Sequence, residues 1–170
     1  NPLSGELSVM RQTLLYGGLE SIAHNVNRKA PDLKFYEFGN VYTLNPEKGP
    51  TAERPLAPYS EHPELALWLT GDFTSASWNS KGAEASVYDM RAIVENIFRR
   101  LGVSLAALKY SQGSDEIFSA SLDIDSRSGR RIARIGLLRH SLLKRFDIER
   151  DVVYAQIDWS ALFKIATDGS

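Results

Sequence analysis

The chain has 170 residues, of which 43% are hydrophobic and 24% charged, and its formal net charge is -1 at pH 7. This length and composition predict one globular domain spanning residues 1–170. The charge balance argues against a broad basic surface for nucleic acid, and the absence of cysteine excludes disulfides and thiolate metal sites. No apolar run approaches the roughly 20 residues that cross a bilayer, so we expect no membrane contact and a cytoplasmic location.

The first predicted helix runs from Thr13 to about Arg28, because Thr13 can cap its start and apolar residues recur at three- and four-residue spacing. These apolar residues are Leu15, Leu19, Ile22 and Val26. Gly17 and Gly18 weaken the first turn of this helix. Their predicted use is the close approach of another backbone, within this chain or in a partner.

Two strands follow in the sequence. Leu33 to Tyr42 is rich in aromatic and β-branched residues and has apolar side chains on both faces, which predicts a central strand. Four prolines then predict a long surface connection from Asn45 to Ser60. Leu65 to Thr70 is predicted to be the second buried strand.

The second half of the chain begins with a helix that Ser86 and Asp89 are predicted to open as a capping box and that Gly102 ends. Alternating residues from Phe118 to Ile124, a turn at 126–129 and the strand 132–138 predict an antiparallel hairpin. A short helix at 141–146, a strand at 152–158 and a helix at 160–165 complete the order. The sequence therefore predicts an α+β fold, an antiparallel sheet flanked by helices, which we expect on one side of it.

No catalytic or metal-binding motif is evident, since GxSxG, P-loop, GxGxxG and HExxH patterns are all absent. The histidines, His24, His62 and His140, lack a shared spacing and are interpreted as surface or hydrogen-bonded structural residues. Asp123 and Asp125 share one face of a predicted strand, which we expect to be solvated rather than a magnesium site.

The three tryptophans have different environments in the sequence. Trp68 lies inside an apolar strand and is expected to be core. Trp78 and Trp159 lie in more polar surroundings, so they are candidates for contact with a partner as well as for packing.

Four segments in order resemble the core domain of the phenylalanyl-tRNA synthetase β subunit family. They are 7–20 (LSVMRQTLLYGGLE, with NVNR at 25–28), 35–42 (FYEFGNVY), 88–95 (YDMRAIVE) and 136–148. The family differs in having proline at Tyr16, Lys-Gly at Arg91-Ala92, and His-Pro at Arg139-His140. The start at Asn1 without methionine adds the expectation that this chain is a fragment of a longer protein.

The resemblance implies a class II aminoacyl-tRNA synthetase-like fold whose sheet would carry ATP and amino acid if the signature residues were present. The strand that matches the second signature contains Tyr36, Glu37, Gly39 and Tyr42. Catalytic relatives continue this strand with an arginine that grips the α-phosphate, where this chain has Thr43. The third signature should fall around 153–163, which lacks both glycine and arginine. A domain that binds no cofactor and is itself inactive is therefore implied.

In this family, catalysis belongs to an α subunit, and the resemblance implies packing against it in a heterotetramer of two α and two β chains. ATP and magnesium are expected in the intact complex, and tRNA contact only there. The candidate interface residues are Arg11, Thr13, Gly17, Gly18 and Trp78, although packing of the glycine helix within the domain is an equal alternative. A divergent adenylating domain, or a local tRNA-binding module around Arg130 and Arg145, are the other functions considered.

Overall fold

The protein is described by a computed structural model that covers residues 13–29, 32–44, 59–72 and 84–168. The helices and strands of these residues occur in the following order: α1 (Leu15–Asn27), β1 (Leu33–Leu44), β2 (Tyr59–Thr70), α2 (Val87–Arg100), a 3-10 helix (Leu105–Ala107), β3 (Leu108–Gly113), β4 (Phe118–Ser126), β5 (Arg131–Leu138), α3 (His140–Lys144), β6 (Val152–Asp158) and α4 (Trp159–Asp168). Within the described part of the chain, none of the helices is long and apolar enough to span a membrane.

The strands form a six-stranded antiparallel sheet in the order β1-β2-β6-β5-β4-β3. This confirms the predicted α+β class with an antiparallel sheet, and β4 and β5 form the predicted hairpin. The sequence did not predict β3, which pairs with β4 at one edge of the sheet. Its pattern is weak because Leu108 is the one buried side chain in a six-residue strand.

The prediction that the strand beginning at Leu33 is central is wrong, since β1 lies at the other edge of the sheet. The prediction for β2 is also too short, because the strand begins at Tyr59 rather than at Leu65. The extension could not be predicted because proline, here Pro63, argues against a strand in the middle of a sheet. Pairing with β6 starts only at Glu64, so Pro63 has a strand on one side and its missing N–H is tolerated. Residues 45–58 of the predicted connection lie outside the described ranges.

Helices cover both faces of the sheet, which corrects the expectation that they lie on one side. Successive residues of a strand point to opposite faces, so Leu65 and Leu69 pack in one apolar cluster while Ala66 and Trp68 pack in another. The first cluster includes residues of α2 and α4, and the second includes residues of α1 and α3. We call these two sides of the sheet the α2 face and the α1 face.

The helix α2 forms as the sequence predicts. The Ser86 hydroxyl accepts a hydrogen bond from the Asp89 N–H at 3.3 Å, and the Asp89 carboxylate accepts one from the Ser86 N–H at 2.8 Å. This capping box satisfies two N–H groups that have no partner within the helix. Gly102 follows the last turn with φ of +80°, a conformation that glycine adopts without steric strain.

Candidate functional site

The α1 face carries a row of aromatic side chains that crosses the sheet. Phe35 on β1 stacks on Trp68 of β2, with ring centroids 4.9 Å apart, and Trp68 lies 5.4 Å from Tyr154 of β6. Tyr154 in turn stacks on Phe118 of β4 at 5.9 Å. Trp68 and Tyr154 are 0% exposed and Phe118 is 1% exposed. The chain itself therefore fills the middle of this face.

Two glycines make room for this aromatic row. A Cβ on Gly136 of β5 would lie 2.3 Å from the Ala120 carbonyl oxygen and 2.7 Å from Cδ1 of Phe118. A Cβ on Gly18 of α1 would lie 2.1 Å from Cε2 of Trp68. Both contacts are too short for any side chain, so glycine is required at each position. The sequence analysis gave Gly136 no role, although an isolated glycine in a strand signals close approach of another group.

The two glycines of α1 differ in their surroundings. Gly18 meets the indole ring of Trp68, so the prediction that another backbone approaches it is wrong, and the packing is within the domain. Gly17 is exposed, and among the described residues no atom beyond its chain neighbours and its own helix backbone lies within 4 Å of the position its Cβ would take. Thr13 precedes the helix, where its hydroxyl accepts a hydrogen bond from the Leu15 N–H at 3.2 Å.

Tyr154 is the titratable group at the centre of the aromatic row. Burial raises the pKa of its phenol far above the ordinary value, and the negative charges of Glu64 and Glu37 act in the same direction, against a hydrogen bond with Thr13. Its hydroxyl donates to Oε1 of Gln156 at 3.3 Å. Tyr154 is therefore neutral over the physiological pH range and acts as a packing residue.

A network of charges lies beside the aromatic row, around Arg134 of β5. Its Nη1 donates to Oδ2 of Asp115 at 2.6 Å and its Nε donates to Oδ1 of Asp123 at 3.0 Å. The same guanidinium lies over the Phe118 ring, 4.8 Å from its centroid. The Ser121 hydroxyl donates to Asp123 at 3.0 Å. Asp123 is only 8% exposed, so the expectation of a solvated face is wrong for this residue.

Asp115 receives several hydrogen bonds in this network. Burial by itself would raise the pKa of the Asp115 carboxyl, but the N–H groups of Phe118 and Ile117 and the guanidinium of Arg134 together lower this pKa below its usual value. The same carboxylates raise the pKa of Arg134, although burial opposes the change. Asp115 and Arg134 are therefore both charged at neutral pH, and the charge of Arg134 is balanced within the domain.

A shallow cavity of ≈ 150 Å³ remains next to the network. Its lining includes Glu64, Gln156 and Asp158, together with Arg131 and Arg134. Both arginines are engaged, since Arg131 lies 2.5 Å from Asp125 and Arg134 is held as above. The volume is below the about 300–1,000 Å³ typical of small-molecule sites, and the lining offers carboxylates rather than available cations.

The positions matched to the synthetase signatures lie on β1 and at the junction of β6 and α4. Thr43 is two residues beyond the buried Val41 and so shares the α1 face, where its hydroxyl lies 2.7 Å from that of Ser60. Glu37 and Gly39 share this face, while Tyr36 and Tyr42 point to the α2 face. At the third signature, β6 leads directly into α4.

The remaining predicted residues are dispersed. Arg11 and Trp78 lie outside the described residues, and the interface role predicted for them and for Thr13, Gly17 and Gly18 stays a prediction. Nε2 of His140 lies 2.7 Å from Oδ1 of Asp151, with the imidazole 80% exposed. The residues that the structure describes contain no group of three or more side chains able to hold a metal ion.

An aromatic strip on the α2 face was missed by the sequence analysis. Tyr36 and Phe38 of the edge strand β1 are 72% and 52% exposed, and Phe163 of α4 is 57% exposed. Trp159 packs edge-on against Phe38, with centroids 5.3 Å apart. Phe163 is one helical turn beyond Trp159 and so lies on the same side of α4. The sequence signal for this strip was the presence of apolar side chains on both faces of β1, which the sequence analysis interpreted as the pattern of a central strand.

Comparison with known proteins gives consistent results. The profile of a family described as the phenylalanyl tRNA synthetase beta chain CLM domain matches residues 1–159. Phenylalanine–tRNA ligase beta subunits from Bacteroides fragilis (strain YCH46) and Bacteroides thetaiotaomicron are 50% and 48% identical over 164 residues, covering 96% of this chain. The protein of the same name from Porphyromonas gingivalis is 37% identical over 162 residues, covering 95% of this chain. Each match covers 20% of the relative, so the chain spans about a fifth of their length.

A solved structure shares the fold. The pyrrolysyl tRNA synthetase PylSc of Desulfitobacterium hafniense superposes with a TM-score of 0.59 at 12% sequence identity. The match covers 92% of this chain and 50% of that chain. The likeness in fold is consistent with the synthetase-like architecture that the sequence resemblance implied.

Proposed function

The chain belongs to the phenylalanyl-tRNA synthetase β-chain family, and from that premise we propose that it is a noncatalytic assembly domain of a phenylalanine–tRNA ligase β subunit. It packs against the catalytic α subunit, in a complex of two α and two β chains that aminoacylates tRNA in the cytoplasm. ATP and magnesium belong to the α subunit of that complex, and tRNA meets this domain only in the assembled enzyme.

The observation that carries this proposal is the filled α1 face. The resemblance implies that the sheet of a catalytic synthetase carries ATP and amino acid, and Thr43, the position matched to the phosphate-binding arginine, lies on the α1 face. Here Trp68, Tyr154 and Phe118 occupy it at 0–1% exposure, and Gly18 lets α1 close down on the indole ring. Removing these side chains from water stabilises the fold, and the cavity of ≈ 150 Å³ that remains beside them is smaller than typical small-molecule sites.

The electrostatics of the face support the same conclusion. Adenylate formation needs cations near the triphosphate, because they stabilise the charge that develops on the transferring phosphate. The position of the phosphate-binding arginine is occupied by Thr43, a neutral residue. The cation at the centre of the face, Arg134, is held by Asp115 and Asp123 at 2.6 and 3.0 Å. Its charge is therefore balanced within the domain.

The aromatic strip supports the packing part of the proposal. Exposed apolar side chains that cluster are typical of protein interfaces, in which aromatic residues are enriched. The strip lies on an edge strand, the position in a sheet where a partner has the easiest access to both side chains and backbone. We propose that Tyr36, Phe38 and Phe163 contact the α subunit.

Co-expression of the full-length β chain with its tagged α subunit tests the proposal. The double variant Tyr36→Ser/Phe38→Ser removes two exposed aromatic anchors, and we expect it to reduce the β chain recovered with α by about tenfold or more. The matched control is Tyr88→Ser, which removes an 82% exposed tyrosine from α2, outside the strip. We expect that variant to be recovered with α as well as the unmodified chain.

Two results would count against the proposal. Equal recovery of the strip variant and the unmodified β chain would remove the strip from the α interface. Formation of an aminoacyl-adenylate by this domain without the α subunit would instead favour the divergent adenylating enzyme.

A further inference from the structure

A second cavity, of ≈ 410 Å³, lies on the α2 face at the end of the β4–β5 hairpin. It is enclosed by the hairpin turn, by the residues around the 3-10 helix and by the last turns of α4. We call it the basic cavity, and we propose that it binds a nucleotide phosphate, from an RNA strand or a free nucleotide. This inference does not depend on the noncatalytic role or on the α subunit contact, and it departs from the expectation that RNA meets this domain only in the assembled enzyme.

The charges that line the basic cavity are mostly positive. Arg127, Arg130 and Lys164 contribute three cations and Asp168 one carboxylate. Arg130 lies 3.6 Å from Asp158, which lies outside the lining, so its charge is partly balanced. Within residues 84–168 and the other described ranges, neither Arg127 nor Lys164 forms an ion pair. In a chain of net charge -1, two unbalanced cations in one cavity favour an anionic ligand.

The turn that carries two of these cations is held in place by hydrogen bonds. The Ser126 N–H donates to the Arg130 carbonyl at 2.8 Å, and the Arg130 N–H donates to the Ser126 hydroxyl at 3.1 Å. Gly129 adopts a φ of +90°, which closes the turn. A rigid turn presents its cations without the entropic cost of ordering a flexible loop.

Hydroxyl and guanidinium donors border the cavity. The Ser126 and Ser128 hydroxyls lie 2.8 Å apart, so one of their two protons remains free to bind an oxygen atom of a ligand. Nη2 of Arg127 donates to the Ala106 carbonyl at 3.2 Å, which positions the guanidinium while its other N–H groups remain available. Charge-assisted bonds of this kind are those that proteins use for phosphate.

The floor of the cavity is apolar, in contrast to its rim. Ala107, Ile132, Ala161 and Ile165 line it. A simple anion would leave this surface unused, whereas a nucleotide places its phosphate at the basic rim and its base against the floor. The volume lies within the about 300–1,000 Å³ of small-ligand sites. The combination of basic rim and apolar floor therefore points to a nucleotide rather than to inorganic phosphate.

Fluorescence anisotropy with a short labelled single-stranded RNA and the 170-residue chain tests this inference, with AMP and inorganic phosphate as competitors. The variant Arg127→Ala/Lys164→Ala should bind the RNA about tenfold more weakly. Its slope of log K against log salt concentration should be smaller by about 1.4, at about 0.7 for each lost phosphate contact. Circular dichroism of the variant establishes that it is folded.

The matched control is Arg28→Ala/Lys144→Ala, which removes two exposed cations at the ends of α1 and α3, on the α1 face. We expect this variant to bind like the unmodified chain. Competition by AMP would identify a free nucleotide as a ligand, and failure of AMP to compete would restrict the site to an RNA strand. Absence of RNA binding, equal losses in the two variants, or competition by inorganic phosphate as strong as by AMP would each overturn the proposal.

Discussion

The two faces of the sheet are packed in different ways. The α2 face is covered mainly by aliphatic residues, with Met90 and Val94 of α2 against Leu65, Leu69 and their neighbours. The α1 face is filled by stacked aromatic rings that depend on glycines, and by an ion-pair network beside them. An aliphatic core tolerates exchange of one side chain for another of similar volume, whereas stacked rings that meet glycine do not.

This difference bears on function, because the aromatic side chains that stabilise the α1 face also leave little room for a ligand there. On the α1 face, large side chains fill the space above the sheet, and the proposed noncatalytic function rests on this filling. The filling makes the face a structural element of the domain. The predictions that follow compare positions on or near the two faces, in order of decreasing effect.

The largest effect is expected from Trp68→Ala on the α1 face. It removes a fully buried ring from contact with Phe35, Tyr154 and Gly18, so unfolding by urea should show a loss of about 3–5 kcal/mol. Trp159→Ala, at a half-buried position of the aromatic strip, should cost about 1–2 kcal/mol because less apolar area is exposed to water. A smaller loss for Trp68 than for Trp159 would contradict the account of the filled face.

Smaller effects on stability, of opposite sign to each other, are expected from substitution of the two adjacent glycines of α1. In Gly18→Ala, the new Cβ would lie 2.1 Å from Trp68, so the helix or the ring must move, at a cost of about 1–3 kcal/mol. In Gly17→Ala, the Cβ meets nothing within 4 Å, and better helix propensity should stabilise the domain by about 0.5–1 kcal/mol. Thermal or urea unfolding of the two variants would show whether they differ in sign, and equal effects would refute the assigned contact.

The smallest effect is expected from Asp115→Asn in the ion-pair network. The folded-state pKa of Asp115 is below its ordinary value of 3.8. The stability from its ionisation is therefore fully present above pH 3.8, and it is lost as the pH falls through the lower folded pKa. Since the carboxyl is 36% exposed, solvent screening limits the expected loss to about 1 kcal/mol at neutral pH.

Urea unfolding of this variant at a series of pH values provides the measurement. The difference from the unmodified chain should be constant near neutral pH and should shrink in acid. The control is Glu116→Gln, which changes an exposed neighbouring carboxyl outside the network and should cost less stability than Asp115→Asn near neutral pH. A difference that grows in acid would show that the sign of the Asp115 shift is wrong.

Local features of the fold could be predicted because their causes are local. Ser86 and Asp89 specify the start of α2 over four residues, and Gly129 with its serines specifies the β4–β5 turn. The edge position of β1 could not be predicted in this way. Exposed and buried aromatic residues have the same strand propensity. Tyr36 and Phe35 differ in what covers each face of β1, because Phe35 stacks on Trp68 whereas Tyr36 is 72% exposed.

The candidate site shows the same limit more clearly. The absence of the phosphate-binding arginine could be predicted, because the resemblance assigns that arginine to the position of Thr43. The partner of Gly18 could not be predicted, because Trp68 lies 50 residues further along the chain and meets it only once the sheet and α1 have packed. The burial of Asp123 has a similar origin, since its partner Arg134 lies on the neighbouring strand.

The central claim, that the α1 face is filled and cannot hold a nucleotide, is tested most directly by calorimetric titration with magnesium and ATP. The titration uses the Arg127→Ala/Lys164→Ala variant of the 170-residue chain, so that the basic cavity does not contribute. We predict no saturable heat, because Trp68, Tyr154 and Phe118 occupy the face and Arg134 is already paired. Saturable binding with micromolar affinity would contradict the account.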